Sequence, residues 1–156
     1  MGSEENKPAS IGVCGQWAMV LTGPDGKIKQ EVQGKNVVVD NGVEKLAQHL
    51  SSANAAATTF TFGYIAVGTD ATAENSSDTG LGTELARHTG IVSYISNAIY
   101  QVKATFAAGV GTGAIVEYGL FNSNTAGTMF SRDTESVINK GAGDTLTVTS
   151  QYTFSG

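Results

Sequence analysis

A chain of 156 residues, of which 40% are hydrophobic, is long enough to fold as one domain around its own core. Its formal net charge of −5 and its two arginines leave no basic face for nucleic acid, and no apolar stretch reaches the ~18 residues of a membrane span. We therefore expect neither nucleic acid nor a membrane as a partner.

The N-terminus and the single cysteine indicate the compartment in which the chain is made. Residues 1–10 lack the basic start and the apolar run of a secretion signal, so we expect synthesis in a reducing cytoplasm. Cys14 has no second cysteine with which to form a disulfide. We expect it to be a small buried residue beside Trp17.

The chain divides into a short arm, residues 1–12, and a single β-rich domain, residues 13–156. The first ten residues are polar and cannot build a core, so an arm of this kind is ordered only where a neighbour holds it. Its residues Glu4, Glu5, Lys7 and Pro8 are therefore candidates for a contact surface.

The first predicted hairpin covers residues 15–33. Residues 11–22 are mostly apolar and predict a buried strand, and Gly23-Pro24-Asp25-Gly26 predicts a tight turn. Ile28, Gln30 and Val32 then alternate with charged and polar residues, which indicates a half-exposed strand.

One short helix is predicted, at about residues 42–52. Asp40 or Asn41 is suited to cap its N-terminus. Four apolar residues at helical spacing form a stripe that we expect to face the core: Val43, Leu46, Ala47 and Leu50.

A strand over residues 59–68 leads into a long polar loop, residues 69–83. A loop of this length without periodicity is unusual in a compact domain and is often functional. Asp70, Glu74 and Asp78 lie in it, which raises the alternative of a calcium site. Their spacing of four residues differs from the alternate positions of an EF-hand loop, so we favour an ordered surface loop or a subunit contact.

The C-terminal half of the chain is predicted to form hairpins and strands. Hairpins are predicted at about residues 87–107, with a turn at Asn97-Ala98, and at residues 114–130. The last strand, residues 145–154, alternates apolar residues with threonines, and Ser150 interrupts its apolar face where we expect the strand to leave the core. The fold class predicted is mainly β, an antiparallel β-sandwich or barrel with one short helix.

A single charge, Glu117, lies within the apolar run of residues 115–121. A carboxylate in such a position must face water or be paired. The arginines Arg87 and Arg132 are the candidate partners, and we expect a structural ion pair that fixes strand register. The chain offers no catalytic triad, no cofactor motif and no metal-ligand spacing, so we expect neither an enzyme nor a metalloprotein.

An ordered set of motifs over residues 60–154 resembles small structural proteins of tailed-bacteriophage virions. In order these are A-V-G-T (66–69), D-T-G-L (78–81), E-L-A-R (84–87), E-Y-G-L-F (117–121), G-T-M-F-S-R (127–132) and a closing strand that alternates with threonine (144–149). The N-terminal third of the chain is not part of the resemblance.

The resemblance implies a virion location after synthesis in the host cytoplasm, and a structural function. We favour a capsid decoration (cement) protein that binds the major capsid protein or other virion proteins and self-associates as a trimer or dimer. The arm and the loop that holds Asp70, Glu74 and Asp78 are the expected contact surface. The alternatives are a tail-associated or fibre-base protein, or a carbohydrate-binding module at the tail tip with exposed aromatic side chains in a groove.

Overall fold

The computed structural model describes residues 10–51 and 61–156. These ranges contain ten strands and one helix. The elements are β1 (Gly12–Thr22), β2 (Ile28–Lys35), β3 (Val37–Val38), α1 (Asp40–Ser51), β4 (Tyr64–Gly68), β5 (Glu84–Thr89), β6 (Ile91–Tyr94), β7 (Ile99–Phe106), β8 (Gly113–Phe121), β9 (Met129–Lys140) and β10 (Thr145–Ser155). The arm residues Glu4, Glu5, Lys7 and Pro8 lie outside these ranges.

The strands form two five-stranded antiparallel sheets that enclose the core. Sheet A has the order β2-β1-β10-β7-β6, and sheet B has the order β3-β9-β8-β4-β5. Side chains from both sheets meet in one hydrophobic cluster that includes Trp17, Ile65, Phe106, Leu120 and Tyr152. The predicted mainly β fold with one short helix is confirmed, in the sandwich form.

The predicted hairpin at residues 15–33 corresponds to β1 and β2, which pair with Leu21 opposite Gln30. Cys14, however, is exposed, and the expectation that it is buried beside Trp17 was wrong. Successive strand residues point to opposite faces, so two residues three apart cannot share the inner face.

The predicted hairpin at residues 87–107 is divided between the two sheets. β6 and β7 pair as expected, and Asn97 and Ala98 both have positive φ in the turn between them. β5, in contrast, pairs with β4 in sheet B. The chain crosses from one sheet to the other at Gly90, where a Cβ would lie 2.4 Å from Val102 Cγ1.

The helix begins at Asp40, close to the predicted start, but its apolar stripe does not face the core. Val43 is 51% exposed and Leu50 is 77% exposed. The helix instead approaches β9 through Gly42, where a Cβ would lie 2.6 Å from the Phe130 carbonyl oxygen. No helix in the described ranges is long and apolar enough to cross a membrane.

The hairpin of residues 114–130 forms as β8 and β9, and β9 continues to Lys140 past an irregularity in its pairing. In β10 the predicted exit of the strand from the core at Ser150 was wrong, because Ser150 is fully buried. It lies inside the sandwich opposite Trp17 on β1. Polar groups are therefore part of the sandwich interior.

Candidate functional site

Glu117 is fully buried on the outer face of sheet B, beneath the loop of residues 69–83. In β8 it is opposite Gly68 of β4 on one side and Thr134 of β9 on the other. A Cβ on Gly68 would lie 2.4 Å from Glu117 Oε1 and 2.4 Å from the Thr83 carbonyl oxygen. Glycine at position 68 therefore provides the space in which the loop lies against the sheet.

Five donor groups satisfy the Glu117 carboxylate. Backbone N–H groups of Thr83 and Asp70 donate to Oε1 at 2.8 and 3.1 Å, and that of Gly82 donates to Oε2 at 2.9 Å. Arg132 donates to Oε2 from Nη2 at 3.0 Å and from Nε at 3.3 Å. This donor set compensates for removing the carboxylate from water, and it holds both ends of the loop on one side chain.

Arg132 extends the network from β9 to the middle of the loop. Its side chain is 3% exposed, and Nη1 donates to Asp78 Oδ2 at 3.0 Å. Burial acts to lower the pKa of Arg132, but the hydrogen bonds to Glu117 and Asp78 outweigh it and raise the pKa above its ordinary value. The guanidinium therefore stays charged between two carboxylates.

Arg87, the other candidate partner, does not pair with Glu117. It donates to Glu84 from Nε at 3.0 Å and from Nη2 at 2.7 Å. Its Nη1 also donates to the carbonyl oxygens of Ser123 and Ala126, and the guanidinium lies 3.6 Å from the centre of the Phe121 ring. Arg87 therefore fixes the turn between β8 and β9, a role that the sequence did not indicate.

The three acidic residues of the loop have separate partners. Asp70 accepts from Thr72 N at 2.8 Å and from Thr72 Oγ1 at 2.7 Å, and these hydrogen bonds lower the pKa of Asp70. Glu74 accepts from the Thr134 hydroxyl, and Asp78 binds Arg132. Across the described ranges, no group of three or more acidic, histidine or cysteine side chains is placed to hold a metal ion.

A second polar cluster, which the sequence reading missed, lies inside the sandwich. Asp133 faces inward opposite Tyr118, it is 1% exposed, and neither of its carboxylate oxygens accepts a well-formed hydrogen bond from a described residue. Burial, with the charges of Glu135 and Glu74, raises the pKa of Asp133 to about 7. Parity puts Asp133 on the same face of β9 as Ser131, two residues away, but the sequence does not show that this face is the inner one.

Asn36 connects the two sheets. In the amide orientation that satisfies both ends of the group, its oxygen accepts from Trp17 Nε1 at 2.9 Å and its nitrogen donates to the Gly15 carbonyl at 3.1 Å. The Tyr152 hydroxyl lies 3.0 Å from the same amide and bonds to Ser131. These contacts are structural, because they link β1 and β10 of sheet A to β9 of sheet B.

A group of exposed apolar side chains lies along β6 at the edge of sheet A. Ile91 and Tyr94 are 73% and 75% exposed, and Val92 and Ile95 are partly exposed beside them. Contiguous apolar surface of this kind marks an interaction site more often than chance exposure does.

Comparison of the chain with protein-family models, curated proteins and solved structures finds no match to any of them.

Proposed function

We propose that this chain is a structural protein of a tailed-phage particle, and that it decorates the head by binding the major capsid protein. Its mechanism is adhesion, in which free energy comes from burying preformed surface between subunits. Many copies on a symmetric shell add their weak contacts through multivalency. The observation that carries the proposal is the way in which four of the six motifs of the resemblance converge on one structural unit.

That unit is the loop of residues 69–83 fixed to the outer face of sheet B. Glu117 binds the backbone at both ends of the loop, Arg132 binds Asp78 in its middle, and Leu81 packs against Gly119. The motifs are far apart in sequence, yet four of them supply parts of this unit: A-V-G-T (66–69), D-T-G-L (78–81), E-Y-G-L-F (117–121) and the arginine of G-T-M-F-S-R (127–132). E-L-A-R (84–87) instead holds the turn between β8 and β9. A shared unit supports the resemblance better than separate short matches would.

The fixed loop presents a polar surface that is ordered before any partner binds. Its side chains at Thr72, Ala73, Asn75, Ser77 and Thr79 are exposed, while its backbone is held by the network beneath. A preorganised loop loses little conformational entropy on binding, which favours its use as a contact surface. We assign the capsid contact to this loop.

A tail-associated or fibre-base location is the alternative for the same adhesive surface. A carbohydrate-binding module is less well supported, because such a site stacks sugars on exposed aromatic rings. Trp17 is 1% exposed and Tyr118 and Tyr152 are fully buried, which leaves Tyr94 as the strongly exposed aromatic in the described ranges. Tyr94 lies on a strand edge and lines neither the surface groove beside Gln16 and Gln151 nor the one beside Gln48 and Thr79.

The test is to locate the protein on particles released by the phage that encodes it. Antibody against the purified chain is applied to these particles, and bound antibody is imaged by electron microscopy with gold. We expect labels over the whole head surface. Labels confined to the tail would move the protein to the alternative location, and unlabelled particles that contain the other virion proteins would overturn the proposal. A glycan-binding screen, with no binding expected, tests the carbohydrate alternative.

A further inference from the structure

The exposed edge of β6 differs from the other sheet edges in the described chain. β2 carries Lys29, Glu31 and Lys35, β5 carries Glu84, Arg87 and His88, and β3 has only two residues. β6 and the residue after it, I-V-S-Y-I at 91–95, carry no charge and no proline. Charges, prolines and very short strands are the features that protect sheet edges from pairing with another chain.

Among the described strands, none covers the inward-facing side chains of β6 on the side away from β7. Val92 is opposite Val102, and Tyr94 is opposite Tyr100, so both point to the inner face of sheet A. Val102 is fully buried, whereas Val92 is 41% exposed and Tyr94 is 75% exposed. A further strand beside β6 would cover these two side chains and continue the hydrophobic core.

We infer that the strand beside β6 is β6 of a second copy of this chain, paired antiparallel about a twofold axis through Ser93. The sequence I-V-S-Y-I has apolar residues placed symmetrically around its central serine. In this register Val92 is opposite Tyr94 of the second copy, and Ile91 is opposite Ile95 of the second copy. Apolar side chains therefore meet on both faces of the joined sheet, which is the self-complementarity that a twofold interface requires.

Charge permits the same occupant. Each copy has a formal net charge of −5, so association of two copies needs a contact that brings no like charges together. β6 carries no charged residue, so self-pairing along it brings no like charges together. The contact rests on backbone hydrogen bonds and apolar burial, so it should persist at high salt.

Sedimentation velocity of the purified chain tests the inference. We expect a dimer that dissociates on dilution and persists in about 1 M NaCl, since a non-ionic contact is not weakened by screening. Tyr94→Lys should give a monomer. Ile28→Lys is the matched control, because Ile28 is 59% exposed on the charged edge strand β2, and this variant should remain dimeric. Circular dichroism establishes that both variants are folded.

Several outcomes would contradict the inference. A wild-type monomer at all concentrations up to several hundred micromolar would overturn it, since even weak specific interfaces are populated there. A trimer, or a dimer that Ile28→Lys dissociates and Tyr94→Lys does not, would also overturn it.

A cysteine cross-link tests the register. In a Cys14→Ser background, Ser93→Cys places two thiols opposite each other on the twofold axis, where paired strands bring Cα atoms to about 4.5–5.5 Å and a disulfide can form. Val110→Cys, on the exposed loop before β8, is the control and should stay unlinked. A dimer that fails to cross-link through Ser93→Cys, or cross-links equally through Val110→Cys, would refute pairing through β6.

These measurements use purified protein without particles, so they are independent of the phage assignment. A wild-type monomer would overturn the β6 interface while the particle-labelling result stands, and unlabelled particles would leave a measured dimer unaffected.

Discussion

At the scale of the residue, the pair Glu117 and Arg132 shows how a charge is kept inside an apolar strand. Removing two charges from water costs several kcal/mol per ion, and the pair is stable only because further hydrogen bonds complete it. Three backbone N–H groups bind the carboxylate, and Asp78 binds the remaining side of the guanidinium. The network therefore fixes a loop as well as a strand register.

We predict that Glu117→Gln lowers the free energy of unfolding by about 3–5 kcal/mol, because it leaves the buried Arg132 guanidinium without its main counter-charge. Asp78→Asn should cost less, because the Asp78 side chain is 26% exposed and water can replace it. Chemical denaturation measures both. A double-mutant cycle should give coupling between Glu117 and Arg132 and none between Glu117 and Arg87, and the absence of coupling to Arg132 would refute the network.

Asp133 makes stability depend on pH. Its pKa is raised from 3.8 to about 7 in the folded protein, so the folded state binds a proton more tightly than the unfolded chain does. This contribution to stability is fully present below pH 3.8 and is lost as the pH rises through about 7. We predict that Asp133→Asn removes this loss and is more stable than wild type at pH 8, as measured by thermal unfolding across a pH series.

The control for Asp133→Asn is Asp25→Asn, a change of the same kind in the exposed turn between β1 and β2. A change in the profile that both variants share is a general effect of replacing aspartate by asparagine, and a change confined to Asp133→Asn belongs to the buried position. An identical profile for Asp133→Asn and wild type would show that Asp133 is not the group that titrates.

At the scale of the element, small residues decide where the loop of residues 69–83 can lie. Gly68, Ala66 and Gly119 line the outer face of sheet B, and the loop packs where larger side chains would exclude it. The loop also reaches the helix, since Asp40 N donates to the Ser76 carbonyl oxygen at 2.8 Å. The loop of residues 69–83 thereby joins α1 to strands β4, β8 and β9.

We predict that Gly68→Ala destabilises the protein by about 1–3 kcal/mol, because the added methyl group overlaps the Glu117 carboxylate and the backbone of Thr83. Gly80→Ala, at a position in the same loop where a Cβ would meet nothing within 4 Å, is the matched control and should have the stability of wild type. Thermal unfolding of the two variants distinguishes them. Equal melting temperatures would mean that the loop moves aside at no cost.

At the scale of the whole molecule, the sandwich has one face covered by the loop and one edge left apolar at β6. The covered face and the edge belong to different sheets. The adhesive function that we propose uses the loop toward the capsid, and the inferred dimer uses the edge. The two proposed contacts therefore use different residues and do not compete for one surface.

The arm remains a prediction at this scale, because its residues Glu4, Glu5, Lys7 and Pro8 lie outside the described ranges. We predict that deletion of residues 2–10 weakens binding to particles without lowering the melting temperature, since these polar residues cannot build a core. Occupancy on purified particles and calorimetry measure the two effects. Unchanged occupancy would remove the arm from the contact surface.

The sequence by itself determined the elements that local chemistry controls. Alternation of apolar and polar residues located most strands, and glycine-rich and asparagine-rich turns separated them. It also identified Glu117 as a charge that needs a partner and Arg87 and Arg132 as the available cations. These features depend on neighbours in the chain, which a sequence displays directly.

Only the tertiary structure decided which distant residues meet. Arg132 reaches Glu117 because β9 is adjacent to β8, whereas Arg87 is on β5, with β4 between. Sheet order likewise placed Asp133 inside the sandwich, divided the chain between sheets at Gly90 and left β6 at an edge. The physical reason is that strand neighbours are selected by the packing of the whole core, and no local pattern encodes that choice.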